Sequence, residues 1–145
     1  MILLSSALEL LLENRIIMNK LIIDIANEKI FLMIITNDDI YNITKENTKI
    51  NYEKLTLILK DFLNLNSLKL EDIQKIYVNR GPGSFAGIRN SLSIVKAINV
   101  TRKVDYYCYS LDDFKDQKDV KYEDIPDLCD KFKIKKNLIK PIYLS

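Results

Sequence analysis

The chain contains no histidine. That absence removes the commonest general base, the commonest metal ligand and every Ser-His or Cys-His nucleophile pair. Cysteine is scarce. Cys108 and Cys129 have no metal-type spacing, and one lone pair in 145 residues does not make a secreted disulfide scaffold, so a reducing cytoplasm is the expected compartment. Neither sign of charge is in excess. Twenty-two basic residues against 20 acidic ones leave +2, too little to argue for a nucleic-acid groove or a membrane surface from electrostatics alone. Long hydrophobic runs are missing too. The apolar stretch Leu8, Leu10, Leu11, Leu12 is too short to span a bilayer, has no basic residue before it and no small-residue cleavage site after it. Residues 1–17 are therefore read as an N-terminal extension or a mis-assigned start ahead of Met18, and no membrane contact is expected.

What is present has the make-up of one globular domain, with 48% hydrophobic and 29% charged residues. Lys20 to Ile25 is a short β-branched run, as expected of a strand covered on both faces, with Asp24 the one charge inside it. Lys29–Thr36 and Ile40–Lys45 read as two further strands around an Asn37-Asp38-Asp39 turn. Asn51 to Asn64 places Tyr52, Leu55, Ile58, Leu59, Phe62 and Leu63 at helical spacing with Asn51 as N-cap, and leaves Leu57 outside the stripe. Leu70 to Ile73 looks like a helical turn and Lys75 to Asn79 a buried strand. Ser84 to Val100 sets Phe85, Ile88, Leu92, Ile94, Val95 and Ile98 on one helical arc, with Arg89 and Lys96 outside it. Asp105 to Ser110 is another strand, Leu111 to Phe114 begins something helical, and Lys115 to Lys136 reads as surface connector with one short helix. Ile142 to Leu144 is the last strand. The order β-β-β-α-β-α-β gives an α/β fold, a mixed sheet with helices packed on it.

All three glycines fall within seven residues, Gly81-Pro82-Gly83-Ser84-Phe85-Ala86-Gly87, between a strand and a helix. Glycine costs regular structure roughly 0.5–1 kcal/mol against Ala, so it is used where the backbone needs positive φ or close approach. Two readings stay open here: amides at the helix start hold an anion, or the glycines permit a sharp turn and tight helix packing. The spacing is not that of a P-loop, because Ala86 stands five residues after Gly81. Gly81, Gly83 and Ala86 match a dinucleotide fingerprint but in the wrong place in the chain. Ser84 lacks the glycines of a nucleophile elbow and a histidine to activate it, which leaves a helix N-cap as its expected role and no catalytic residue anywhere.

The string RGPGSFAGIR over residues 80–89 resembles the signature of the bacterial TsaB (YeaZ) family, Gly-Pro-Gly-Ser-Phe-x-Gly, then Leu, Ile or Val, then Arg. Gly81, Pro82, Gly83, Ser84, Phe85, Gly87 and Arg89 carry it. The opening strand with Asp24, the two helices and a Pro141-Ile-Tyr-Leu ending are similar as well. The resemblance implies an actin-like ASKHA, ribonuclease H-like single lobe over 18–114. It further implies that 115–145 form a mixed-charge connector and C-terminal strand, with the second lobe largely missing.

The resemblance also implies a non-catalytic role beside a TsaD-like subunit in forming N6-threonylcarbamoyladenosine at position 37 of ANN-decoding tRNAs, with a TsaE-like ATPase joining. ATP and metal are then expected on the partner subunits and no cofactor on this chain, with tRNA reached only through the complex and self-association when the partner is absent. Leu57, Ala86, Ser93 and Ala97 are the expected partner contacts. Asp24 and Ser84 are candidates for a phosphate or cation contact, although Asp24-Ile25-Ala26-Asn27 lacks the hydroxyls of the family's Asp-Thr-Ser. No metal ligand set is expected. The alternative reading is a small ASKHA-type ATP-binding or hydrolytic protein using the glycine turn. The lysines at 131, 133, 135, 136 and 140 read as a solvated surface neutralised by Asp124, Asp127 and Asp130, and Cys108 and Cys129 as buried apolar residues.

Overall fold

The computed structural model describes residues 16–143; the expectations for residues 1–15 and for Leu144 lie outside the described residues. Five strands form one sheet: β1 (Lys20–Asp24), β2 (Lys29–Ile35), β3 (Ile40–Glu46), β4 (Lys75–Asn79) and β5 (Asp105–Tyr109). Their order is β3-β2-β1-β4-β5. The first three are antiparallel neighbours joined by four-residue connections, while β4 and β5 run parallel to β1, with helices in the connections from β3 to β4 and from β4 to β5. β1 and β4 are covered on both faces, which is why Leu21-Ile22-Ile23 and Ile76-Tyr77-Val78 run apolar without alternation. β3 lies at an edge and is mostly exposed.

On one face lie α2 (Leu55–Leu65) and α3 (Phe85–Arg102), whose Leu59, Phe62, Leu63, Leu92, Val95 and Ile98 pack on Leu21, Ile23, Leu32 and Ile76. The helical stretch expected from Asn51 begins earlier and is split. α1 (Lys49–Glu53) is capped by the Thr48 hydroxyl, which accepts the Asn51 amide, and the chain breaks at Lys54 before α2 starts. Asn51 is thus inside a helix, and its side-chain amide donates to the Glu46 carbonyl instead of capping. Phe85 departs from the expected apolar arc as well: it is 52% exposed and its ring meets that of Tyr143, centroids 4.7 Å apart.

The other face corrects the reading of residues 115–136 as surface connector. Phe114, Ile125 and Cys129 cover Ile22, Met33, Tyr77 and Tyr109 as a second core, with α4 (Ile125–Lys131) and the short 3-10 turn Tyr122–Asp124 laid over the sheet. Burying Phe114 and Ile125 stabilises the fold by about 1.5–3 kcal/mol each, enough to hold this segment down. The chain then lies along the free edge of β5. Lys136 bridges Tyr107, and the Asn137 amide donates to the Tyr106 carbonyl at 2.8 Å. The expected last strand is reduced, among the described residues, to a bridge between Tyr143 and Gly83. No helix among the described residues is long and apolar enough to cross a membrane.

Candidate functional site

The glycine turn joins β4 to α3 and sits against the end of β1. A Cβ on Gly83 would stand 2.2 Å from the Ala26 carbonyl oxygen, and one on Gly87 would stand 2.0 Å from the Ile25 carbonyl oxygen. Close backbone approach therefore accounts for these two glycines; Gly81 has φ +107°, which a side chain rarely adopts. Of the two readings left open above, tight packing is the one the geometry supplies. Ser84 caps α3 as expected: its hydroxyl accepts the Gly87 amide at 3.3 Å and lies 3.2 Å from the Tyr52 hydroxyl. Its own amide donates to the Ala26 carbonyl at 2.9 Å.

Asp24 and Ser84 share an open cleft of about 920 Å³, walled also by Asn47, Tyr52, Pro82 and Tyr122. Asp24 is only 4% exposed. One carboxylate oxygen accepts the Ala26 amide at 3.1 Å and the other accepts the Tyr122 hydroxyl at 2.7 Å. The Tyr122 ring stacks on Phe31 with centroids 3.9 Å apart. Burial, and then the Asp24 carboxylate, push ionisation of Tyr122 far above its usual range, so the phenol remains a neutral donor. Sequence reasoning singled out Asp24 but missed Tyr122, which no local spacing connects to it.

Such a cleft invites a test for a nucleotide with its cation. A cation needs several converging oxygen ligands, whereas here each Asp24 oxygen already accepts a bond, from Ala26 or from Tyr122, and the other carboxylate lining the cleft, Glu28, is exposed. Among the described residues no group of three His, Cys, Asp or Glu side chains converges to hold a metal. The Ser84 hydroxyl is engaged by Gly87 and Tyr52. The residues present do not fit the group.

Arg89 is exposed on α3, its guanidinium 5.9 Å from the Phe85 ring centroid. Arg80, before the turn, is held in the fold: its guanidinium pairs with Asp113 at 2.6 Å, and Asp113 also accepts the Ser110 amide at 2.8 Å. Burial raises the Cys108 thiol to about 11 and the Cys129 thiol to about 12, in keeping with inert core residues.

The expected partner contacts Leu57, Ala86, Ser93 and Ala97 are all exposed. Ala86, Ser93 and Ala97, at i, i+7 and i+11, form one stripe along α3. Ala97 borders a groove of about 490 Å³ between α2 and α3, floored by Leu59, Leu63, Leu70, Ile94 and Ile98 and rimmed by Lys60, Lys69 and Arg102. Arg102 also faces Glu71 at 3.9 Å. Ser93 instead lines a depression on the other flank of α3, and Leu57, 53% exposed on α2, lines neither. Thus the structure puts these four on two adjacent helices without gathering them into one pocket.

Comparison with known proteins sets this arrangement in context. Residues 46–110, which hold α1, α2, β4, the glycine turn, α3 and β5, match the family model described as TsaD: tRNA N6-adenosine threonylcarbamoyltransferase. Among solved structures, the chain superposes on YeaZ from Pseudomonas aeruginosa with a TM-score of 0.60 and 18% identity, covering 64% of this chain and 44% of that one. A second structure, described as an uncharacterized protein with similarity to peptidase YEAZ from Pseudomonas aeruginosa, gives a TM-score of 0.60 and 18% identity, covering 64% of this chain and 43% of that one. No curated protein sequence matches the chain. The chain spans less than half the length of the two YeaZ-like structures it matches. In fold it is TsaB-like over part of its length, and the α/β sheet-and-helix architecture expected from the sequence is found.

Proposed function

We propose that this chain is a supporting subunit in the formation of N6-threonylcarbamoyladenosine on tRNA, working by docking a TsaD-like protein rather than by chemistry of its own. The observation that carries the reading is the apolar groove between α2 and α3, with Ala97 exposed on its border and Leu57 exposed elsewhere on α2. Leu59, Leu63 and Ile98 of its floor are buried, so what a partner would cover is the half-buried Leu70 and Ile94 and the exposed Ala97, at about 25 cal/mol per Å² of apolar surface removed from water. Cationic side chains at its rim favour an apolar helix flanked by carboxylates. An Asp24 carboxylate bonded to Ala26 and Tyr122, an engaged Ser84 hydroxyl and a chain without histidine leave little for independent catalysis. In this reading ATP and metal belong to the partner subunits, a TsaE-like ATPase joins the assembly, and the compartment is the cytoplasm.

Co-expression with the TsaD-like protein of the same source tests it. The wild-type chain co-purifies in a stable complex, and Leu57→Glu or Ala97→Glu, both at exposed positions, abolish it while leaving thermal unfolding unchanged. Complex formation by both variants at the wild-type level overturns the docking surface. The rival reading, ATP binding or hydrolysis by this chain alone, requires heat on titration with ATP and turnover in the partner's absence.

A further inference from the structure

The lysine-rich tail behaves differently from the sequence expectation. Residues 131–143 contain five lysines and no carboxylate. Asp124, Asp127 and Asp130, expected to neutralise them, make no ion pair with any; among the described residues only Lys136 is paired, with Asp105 at 3.6 Å. Lys133, Lys135 and Lys140 instead converge with Arg80 on a depression of about 240 Å³, where the one carboxylate, Asp113, is taken up by Arg80. Across Ile139 and Pro141, the same tail borders a second depression of about 390 Å³, lined by Arg89 and Lys96 of α3 and by Tyr143, with no carboxylate.

The two depressions flank the same tail segment, Leu138 and Lys140 lining one and Ile139, Pro141 and Tyr143 the other, and together they hold five cations that make no ion pair among the described residues: Lys133, Lys135, Lys140, Arg89 and Lys96. The ridge this segment forms is fixed in place. Asn137 donates to Asp105 at 2.9 Å and accepts the Tyr106 amide at 3.0 Å, Arg80 donates to the Lys140 carbonyl at 3.2 Å, and the Ile142 amide donates to the Arg80 carbonyl at 2.7 Å. At its end Tyr143 is 41% exposed beside the half-open ring of Phe85. Cations along a groove follow a phosphate backbone, and an exposed aromatic at its end offers a face on which an unpaired base stacks.

We propose that this ridge binds single-stranded RNA, with Lys133, Lys135, Lys140, Arg89 and Lys96 on the phosphates and Tyr143 under a base. The choice of RNA rests on the function proposed above; the track itself does not involve the α2–α3 groove. Five phosphate contacts to a single strand give a slope of log K against log salt of about −3.5, so affinity falls about 100-fold between 50 and 200 mM salt.

Fluorescence anisotropy of the isolated full chain with a labelled, unstructured 12-nucleotide RNA tests the proposal without any partner protein. The expected result is salt-dependent binding with that slope. Lys133→Gln with Lys135→Gln makes the slope shallower by about 1.4. Tyr143→Ala weakens binding about tenfold at every salt concentration with the slope unchanged. Circular dichroism establishes that each variant is folded. Absence of binding, equal or tighter binding of the same RNA annealed to its complement, or wild-type behaviour of the variants overturns it. RNA binding with failed capture of the TsaD-like protein refutes the docking surface alone, whereas capture without RNA binding refutes the ridge alone.

Discussion

Tyr122 and Asp24, 98 positions apart in the sequence, meet through a 2.7 Å hydrogen bond that ties the C-terminal segment to the end of β1. The bond occupies a carboxylate oxygen that would otherwise face the cleft. Tyr122→Phe leaves that oxygen in a protein interior without its donor, and the expected loss is about 1–3 kcal/mol of unfolding free energy in urea. An unchanged urea midpoint would mean that water from the cleft satisfies Asp24 as well as the phenol does.

Tyr109 offers the opposite case. Its ring is fully buried on β5, its hydroxyl has no hydrogen-bond partner among the described residues, and burial drives its ionisation well above the ordinary range. Tyr109→Phe removes a polar group whose desolvation nothing offsets, so stability rises by as much as ~1–3 kcal/mol. A loss on the same urea measurement would reveal a bond that the hydroxyl makes in solution.

Gly87 is set against backbone that cannot give way. Ala at this position would put a methyl 2.0 Å from the Ile25 carbonyl oxygen, forcing α3 off β1. Overpacking of this kind costs typically ~1–3 kcal/mol and here involves main chain rather than a mobile side chain. Thermal unfolding of Gly87→Ala should fall by many degrees, while Ala86→Gly, one residue earlier and exposed, lowers it only by the few degrees that correspond to roughly 0.5–1 kcal/mol for glycine in a helix. Equal melting of wild type and Gly87→Ala would contradict the packing role of the turn.

The two cysteines set a pH dependence. Burial raises Cys108 to about 11 and Cys129 to about 12, the carboxylates of Asp130 and Asp113 adding to the latter, against 9.0 for a free thiol. The folded state therefore keeps protons that the unfolded state releases, so this contribution is fully present below about pH 9 and is lost as pH rises through the folded values. Urea midpoints should fall between pH 8 and pH 11, and should do so less in a Cys129→Ala variant. Native protein should leave a disulfide reagent unreacted at pH 8 and consume it only on unfolding.

The central sheet was legible because β1 and β4 are apolar on both faces and because the glycines mark one strand-to-helix junction. Ser84 was identifiable as a cap from its place at the helix start. The true first cap, Thr48, was hidden because Asn51 lies nearer the apolar stripe and Lys54 breaks the helix without any Gly or Pro to announce it. The second core was invisible for a different reason. Ile125 and Cys129 stand one helical turn apart, but in a helix of only seven residues amid charges, and Phe114 lies eleven residues earlier, so only the folded chain shows that they lie over Ile22 and Tyr77. Tyr122 is the same kind of residue, defined by a partner 98 positions away. The sorting of the tail lysines away from the acids of α4 is likewise spatial, since in sequence the two groups are neighbours.

Hydrogen–deuterium exchange of the full chain, alone and with its TsaD-like partner, tests the docking surface most directly. Slowed exchange in α2 (Leu55–Leu65) and α3 (Phe85–Arg102), with β3 unchanged, is the expected result. Protection confined to β3, or none in either helix while the complex is intact, would contradict it.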